Sequence, residues 1–305
     1  MGIPTIFRSD DVGAPTLNGL AGTLNNVLRA CLVDGYGSKT ALGWALEFED
    51  VPQEVSVFRA ATGERQYLRI QHNTASGGGS TTRVAMADVY ETMSDENTGT
   101  GNWHGGFVPV SNALTADARA WALIGDEEGF YLWIRNNNGT IAYDANYARL
   151  HWFGDIIPAD ALDTNVCALG VSPVADHGTS DQPRMFQDVT MADSWKSLAA
   201  HKDLTGAATH VIHIAGMWGK AEGHAFYSLA KSGDETSEMI LAKSLMFDEN
   251  NQLKGFMPGL FSGSVSNDYL NQPLGVVNTD YVRLNFRNQY SQNVCYINTT
   301  ADWRA

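Results

Sequence analysis

Three histidines lie close together in one apolar stretch, His210-Val-Ile-His213 followed by Gly223-His224. Imidazole is the commonest transition-metal ligand, and three such groups hold zinc when they converge. His210 and His213 are three apart in a segment that reads as a strand, so their side chains leave on opposite faces. That spacing leaves His210, His213 and His224 as weak metal candidates. Asp95, Glu96, Asn97 and Asn102 supply oxygens of the kind calcium takes. They lack the D-x-D-x-D-G spacing of a calcium loop, and a solvated or interface loop is the plainer reading. The glycine-rich stretch 99–106 (GTGNWHGG) and the run Gly77-Gly78-Gly79 share only their glycines with phosphate-cradling loops. No Lys-Ser/Thr follows either one, and neither opens a helix after a strand. Asp126, Glu127 and Glu128 place three carboxylates in one turn, where solvation is the simplest expectation; a glycosidase needs two across a cleft. No G-x-S-x-G elbow is present. Trp103, Trp121, Trp133 and Trp152 have the faces to stack on sugars, but aromatics in strands are more often core. The sequence predicts no catalytic residue, no cofactor and no metal.

The elements that would position these residues are mostly strands. One helical signal stands out: Leu20, Leu24, Val27, Leu28, Cys31 and Leu32 recur on one face, with Asn18, Asn25, Asn26 and Arg29 opposite. It predicts one principal amphipathic helix at about 17–34, stopped by Gly35 and Gly37. After Trp44 the chain reads as strand, polar turn and aromatic strand, near 55–70, 121–135, 209–230 and 280–298. Further strands are expected at 83–93 and 166–173, and a strand-turn-strand at 238–261 turning after Asp248. Polar loops are expected at 72–82 and 94–107. The stretch 121–157 reads as a meander with turns at Gly125–Gly129 and Asn138-Gly139, and 191–203 as a short helix. The fold class is therefore mainly β, antiparallel hairpins forming sandwich or barrel-like sheets. The chain divides into an extended N-terminal arm (1–12), a helix-plus-hairpin domain (13–173) and a second β-rich half (174–305), which can equally belong to the same domain. Ile3, Ile6 and Phe7 have no adjacent local element to bury them. With Trp103 they are the interface candidates, and the arm is expected to touch a neighbouring subunit.

Composition narrows the partners. The 305 residues carry 34 acidic and 20 basic side chains, a net charge of −14, which repels nucleic-acid phosphates. No apolar run is long enough for a membrane span, and no basic amphipathic stretch suits an anionic bilayer. The start MGIPTIFRSDD does not read as a signal peptide. Cys31, Cys167 and Cys295 are distant from one another and sit among apolar neighbours, as buried thiols of a protein made in a reducing cytoplasm do. Charged residues make up 18 % of the chain, below the roughly 25 % of ordinary soluble domains.

Several stretches in order carry a resemblance: 13–44 (GAPTLNGLAG through Trp44), 90–101 (YETMSDENTGTG), 121–134 (WALIGDEEGFYLWI), 152–156 (WFGDI), 255–261 (GFMPGLF) and Asp302-Trp303. Together they resemble a family of virion structural proteins of tailed bacteriophages, over most of the chain from Ser9 to Trp303. The resemblance implies a non-enzymatic part of a phage particle and does not fix its position there; the leading expectation is the tail, neck or baseplate, with copies of itself and other virion proteins as partners. It also implies a virion location after synthesis in the host cytoplasm. A capsid decoration protein is the alternative within that class. A carbohydrate-binding or carbohydrate-cleaving tail protein is the alternative from another class. The resemblance assigns no functional residue.

Overall fold

The computed structural model describes residues 2–72, 75–76, 82–101, 103–135, 148–162, 167–170, 201–202, 208–212, 242–248, 253–262, 275–278, 280–287 and 292–304. The fold grows outward from a central antiparallel sheet. Its strands, in spatial order, are Thr5–Arg8, Trp121–Gly125, Gly129–Arg135, Ala148–Asp155 and Cys167–Gly170. The sequences WALIG and GFYLWIR are apolar at nearly every position, and every residue in these two strands is buried. A strand reads this way when both of its faces are covered.

Alternation sorts the side chains into two cores. Phe130, Leu132, Ile134 and Phe153 pack on one side, with the helix and an N-terminal sheet. Tyr131, Trp133, Leu150 and Trp152 pack on the other, with Met246, Met257, Leu260, Val282, Ile297 and Trp303. The N-terminal sheet holds Ala45–Asp50, Val55–Arg59, Tyr67–Gln71, Ala75–Ser76, Thr82–Tyr90 and Trp103–Ser111. The C-terminal sheet includes Ala242–Asp248, Leu253–Ser262, Tyr281–Arg287 and Gln292–Asn298. The result is a three-layer stack of antiparallel sheets, mainly β as the sequence predicts. Ile157–Pro158 pairs with Gly255–Phe256, and the second core joins residues 122–168 to 246–303, so the segments 13–173 and 174–305 share a core.

The helix starts later than its periodicity indicates. It spans Thr23–Arg29 and widens into a π-turn at Ala30–Asp34. Leu17 instead accepts the Arg119 amide at 2.7 Å, and the Asn18 carboxamide accepts the Leu20 N–H at 2.9 Å. Such local side-chain bonds compete with helix, and they turn Leu20 outward to 46 % exposure. Asn25, assigned to the polar face, is buried and donates Nδ2–H to the Glu54 carbonyl at 2.8 Å. His72 closes the helix start: its Nδ1 accepts the Leu24 N–H at 3.1 Å, satisfying an amide that has no partner inside the helix.

The N-terminal arm is extended, but it belongs to the chain's own sheet. Thr5–Arg8 pairs with Trp121–Gly125, Phe7 is fully buried, and Ile6 packs against the second core. Phe7 is therefore corrected from an interface residue to a core residue, and Ile6 is partly buried against the chain's own second core. Ile3 remains 63 % exposed. The partner strand is more than a hundred residues away, so no local pattern announces it. The outer edge of Thr5–Arg8 is blocked by side chains: Lys39 Nζ donates to the Ile6 carbonyl at 2.9 Å, and the Tyr36 hydroxyl accepts the Arg8 N–H at 3.1 Å. Capping an edge in this way prevents another strand from adding there.

The hairpin at 55–70, the strand at 83–93 and the meander from 121 form where their alternation places them. The loop 94–107 is shorter than expected. Thr92–Met93 pairs with Gly99–Thr100, and Trp103 already lies in a strand, opposite Val89. Asn138-Gly139, Gly77–Gly79, residues 191–200, His213 and His224 lie outside the described residues, as does the turn after Asp248.

Candidate functional site

The stretch Gly125–Gly129 holds the only trio of consecutive acids that the sequence singles out, and the fold makes it a meeting point of three sheets. The Asp126 carboxylate closes the turn, with Oδ1 accepting the N–H groups of Glu128 and Gly129, both at 2.9 Å. That leaves three main-chain carbonyls facing outward, and each is taken by a different segment. Asp126 O accepts the Trp44 indole N–H at 3.1 Å, Glu127 O the Ala61 amide at 3.1 Å, and Glu128 O the Asp155 amide at 3.2 Å. The expectation of a simply solvated turn is corrected: Asp126 is buried. Trp44→Phe removes one of these ties and is expected to cost about 1 kcal/mol in chemical denaturation, the net worth of one such bond.

The C-terminal residues reach the same place from the third layer. Trp303 is buried against Tyr131 and Trp152, with ring centroids 5.6 and 6.5 Å apart, and its indole donates to the Asn298 carbonyl at 2.7 Å. It lies flat on Gly259, where an added Cβ would fall 2.0 Å from the indole nitrogen. Tyr131 donates its hydroxyl to the Pro258 carbonyl at 2.9 Å. Arg304 then enters between the acids. Its Nε stands 2.8 Å from Glu128 Oε2 and 3.5 Å from Asp126 Oδ2, and Nη1 donates to the Asp155 carbonyl at 2.9 Å. The Nε–Glu128 contact is an ion pair by distance, although its N–H is not aimed along a hydrogen bond.

Asp155 completes the junction. Its Oδ2 accepts the Glu64 amide at 2.7 Å, fixing the turn at 61–65 of the N-terminal sheet. Burial raises this carboxyl to about 6; the Glu64 N–H and Arg304 act against that rise, and Glu128 and Glu64 add to it. The neighbouring Cys167 thiol is pushed well above its ordinary value, first by burial and then by Asp155. A carboxyl near 6 is in the range of a general acid. Here its immediate neighbours are the chain's own Glu64 amide and Arg304 guanidinium, so the arrangement is an internal ion-paired joint.

The other candidates separate. Arg69 donates to the Glu96 carbonyl at 2.8 Å and to Asn97 Oδ1 at 2.9 Å, and lies 3.4 Å from buried Asp88. A guanidinium thus occupies the loop in which calcium was considered. Trp121, Trp133 and Trp152 are buried, which removes three of the four aromatics considered as sugar platforms. The side chain of Trp103 is outside the described set. His210 lies in the strand Ala208–Ile212, opposite Phe247. Among the described residues no three His, Cys, Asp or Glu side chains are placed to share a metal ion. Asp155, Arg304 and His72 were not foreseen; only the WFGDI stretch and the closing Asp-Trp, quoted for other reasons, pointed near two of them. No protein-family model matches the chain, and no curated protein is similar to it.

Proposed function

We propose that the chain is a structural component of a tailed-phage virion, placed in the tail, neck or baseplate. In this reading it acts without catalysis, through contacts with copies of itself and other virion proteins. One observation carries the reading: five of the six stretches that bear the resemblance meet in space at one joint between the layers. Trp44 bonds to the 125–129 turn, 152–156 brings Asp155, 255–261 brings Pro258 and Gly259, and Trp303 closes the contact. The resemblance therefore follows residues whose work is to tie layers together. The buried tryptophans favour this reading over a carbohydrate-cleaving tail protein.

A reconstruction of the intact particle tests the proposal. Density for the chain in a closed ring on the tail axis supports it. Density spread over the capsid shell supports the decoration alternative and overturns the location. Absence from the purified particle, or turnover of host polysaccharide by the purified chain, overturns the proposal itself.

A further inference from the structure

Asn18-Gly19 is one of two Asn-Gly pairs in the chain, the other being Asn138-Gly139. In a free chain such a pair loses ammonia. Hydroxide takes the proton of the glycine amide, and the amide nitrogen bonds to the side-chain carbon of the asparagine. The carboxamide nitrogen takes a proton from water and leaves as ammonia, and water then opens the succinimide to aspartate or isoaspartate. Glycine favours the closure because no Cβ hinders the approach. The step needs an amide that can give up its proton and a carboxamide that can swing onto it.

The fold holds both groups. Gly19 N–H donates to the Thr115 carbonyl at 2.8 Å, and the Gly19 carbonyl accepts Arg83 Nε–H at 3.0 Å. Asn18 is buried, its Oδ1 accepts the Leu20 N–H at 2.9 Å, and its carbonyl accepts the Thr23 hydroxyl at 3.1 Å. Gly19 is itself buried under the 112–118 loop, where an added Cβ would collide with the Ala113 carbonyl oxygen and the Thr115 nitrogen. Buried Arg119 ties that loop down: Nε donates to Ser111 Oγ at 3.0 Å and Nη1 to the Asp117 carbonyl at 2.8 Å.

We propose that Asn18 is a deamidation site gated by the fold: the 112–118 loop keeps it inert in the native chain, and unfolding releases it. The products do not fit back. Leu17 O accepts the Arg119 N–H at 2.7 Å, and with the Gly19–Thr115 bond it brackets Asn18. Isoaspartate lengthens the main chain by one carbon between these two bonds, so both cannot re-form. Aspartate keeps the main chain but sets a carboxylate oxygen where Asn18 Nδ2 stands 3.5 Å from the Ala116 carbonyl. Acceptor then faces acceptor in a buried place, which is unfavourable. Deamidation at Asn18 therefore marks a chain that has been unfolded.

Mass spectrometry of the full chain tests the proposal, after incubation at one mildly alkaline pH either native or in guanidinium chloride. Fragmentation of the digested peptide separates Asn18 from nearby Asn25 and Asn26. In guanidinium, Asn18 and Asn138 are expected to deamidate at similar rates. In the native chain Asn18 is expected to react more slowly than in guanidinium by about tenfold or more, since only opened molecules can react. Arg119→Met cuts the side-chain ties to the loop and should speed the native reaction severalfold while leaving the denatured rate unchanged. Should that variant fail to fold, the native and denatured rates of the parent decide. Equal native and denatured rates at Asn18 overturn the proposal. So does an Asn18 that stays slow in guanidinium while Asn138 reacts. A folded Arg119→Met that keeps the parent's native rate overturns the loop as the shield.

Discussion

Gly154→Ala is expected to lower stability by roughly 4 kcal/mol or more, enough to remove most of the margin of an ordinary domain. Gly154 has φ +134°, a region that side-chain-bearing residues rarely enter. An added Cβ would stand 2.3 Å from the Glu128 carbonyl oxygen and 2.3 Å from Gly129 Cα. Both obstacles are main chain, so no change of rotamer relieves them. Relief requires moving the 125–129 turn away from its register partner, since Gly129 pairs directly with Gly154. That shift would break the Asp155–Glu128 main-chain bond and disturb the seats of Trp44, Ala61 and Arg304. Strain at one residue costs about 1–3 kcal/mol, and the lost ties add to it. Urea denaturation of the variant against the parent measures the difference. A variant within about 1 kcal/mol of the parent would show that the turn is not a fixed joint.

The turn itself was legible: Gly125 and Gly129 bracket three acids between two apolar strands, and the sequence marks it as a hairpin. Its role as a joint was not. Hairpins depend on neighbours a few residues apart, so alternation and turn chemistry reveal 55–70 and the start of 121–157 directly. The joint depends on contacts between residue 44, residues 61–64, residue 155 and residue 304, and nothing in any one of those segments refers to the others. The same reason explains Phe7, whose partner strand begins at Trp121. The helix start was lost differently. Leu20 fits the apolar face by spacing, but the bonds of Leu17 and Asn18 hold the backbone in another conformation. His72 carried no signal at all, since an isolated histidine after a strand is ordinary until its ring is seen against the helix.

Acidification should separate two buried groups that act in opposite directions. Burial, with Arg83 close by, lowers the His72 imidazole to about 3. Unfolding returns it to its ordinary value near 6.5, so the unfolded chain takes up a proton that the folded chain refuses. Stability is therefore lost as pH falls from about 6.5 towards 3, by about 1.4 kcal/mol per pH unit at most. Asp155 runs the other way. Its carboxyl is raised to about 6 in the folded chain, so the folded form takes up the proton first. Its contribution is fully present below about 4 and is lost as pH rises through 6, again by about 1.4 kcal/mol per unit at most. Between pH 6 and 4 the two nearly cancel, and the loss from His72 emerges below that. Denaturation at a series of pH values distinguishes them. Asp155→Asn should expose a decline between pH 6 and 4 that the parent lacks, whereas His72→Gln, less stable at pH 7 because the Leu24 amide loses its partner, should grow more stable as pH falls across that window. A parallel decline in all three proteins would refute both assignments.

The central sheet is covered on its two faces by opposite parts of the chain, and this sets a timetable for synthesis. The helix and the N-terminal sheet precede it, so its first face has a cover waiting when Trp121–Gly170 emerge. The second face, with Tyr131, Trp133 and Trp152, is covered by described residues that begin at Met246, 76 positions after Gly170. At about 5–20 residues per second, the described cover of that aromatic face begins to be made roughly 4–15 s after Gly170. Until it arrives, that side lacks Met246, Met257, Leu260, Val282, Ile297 and Trp303, and it is open to chaperones and to neighbouring nascent chains alike. Crowded polysomes should therefore lower the yield of native protein, and slower initiation, which spaces the nascent chains apart, should restore it.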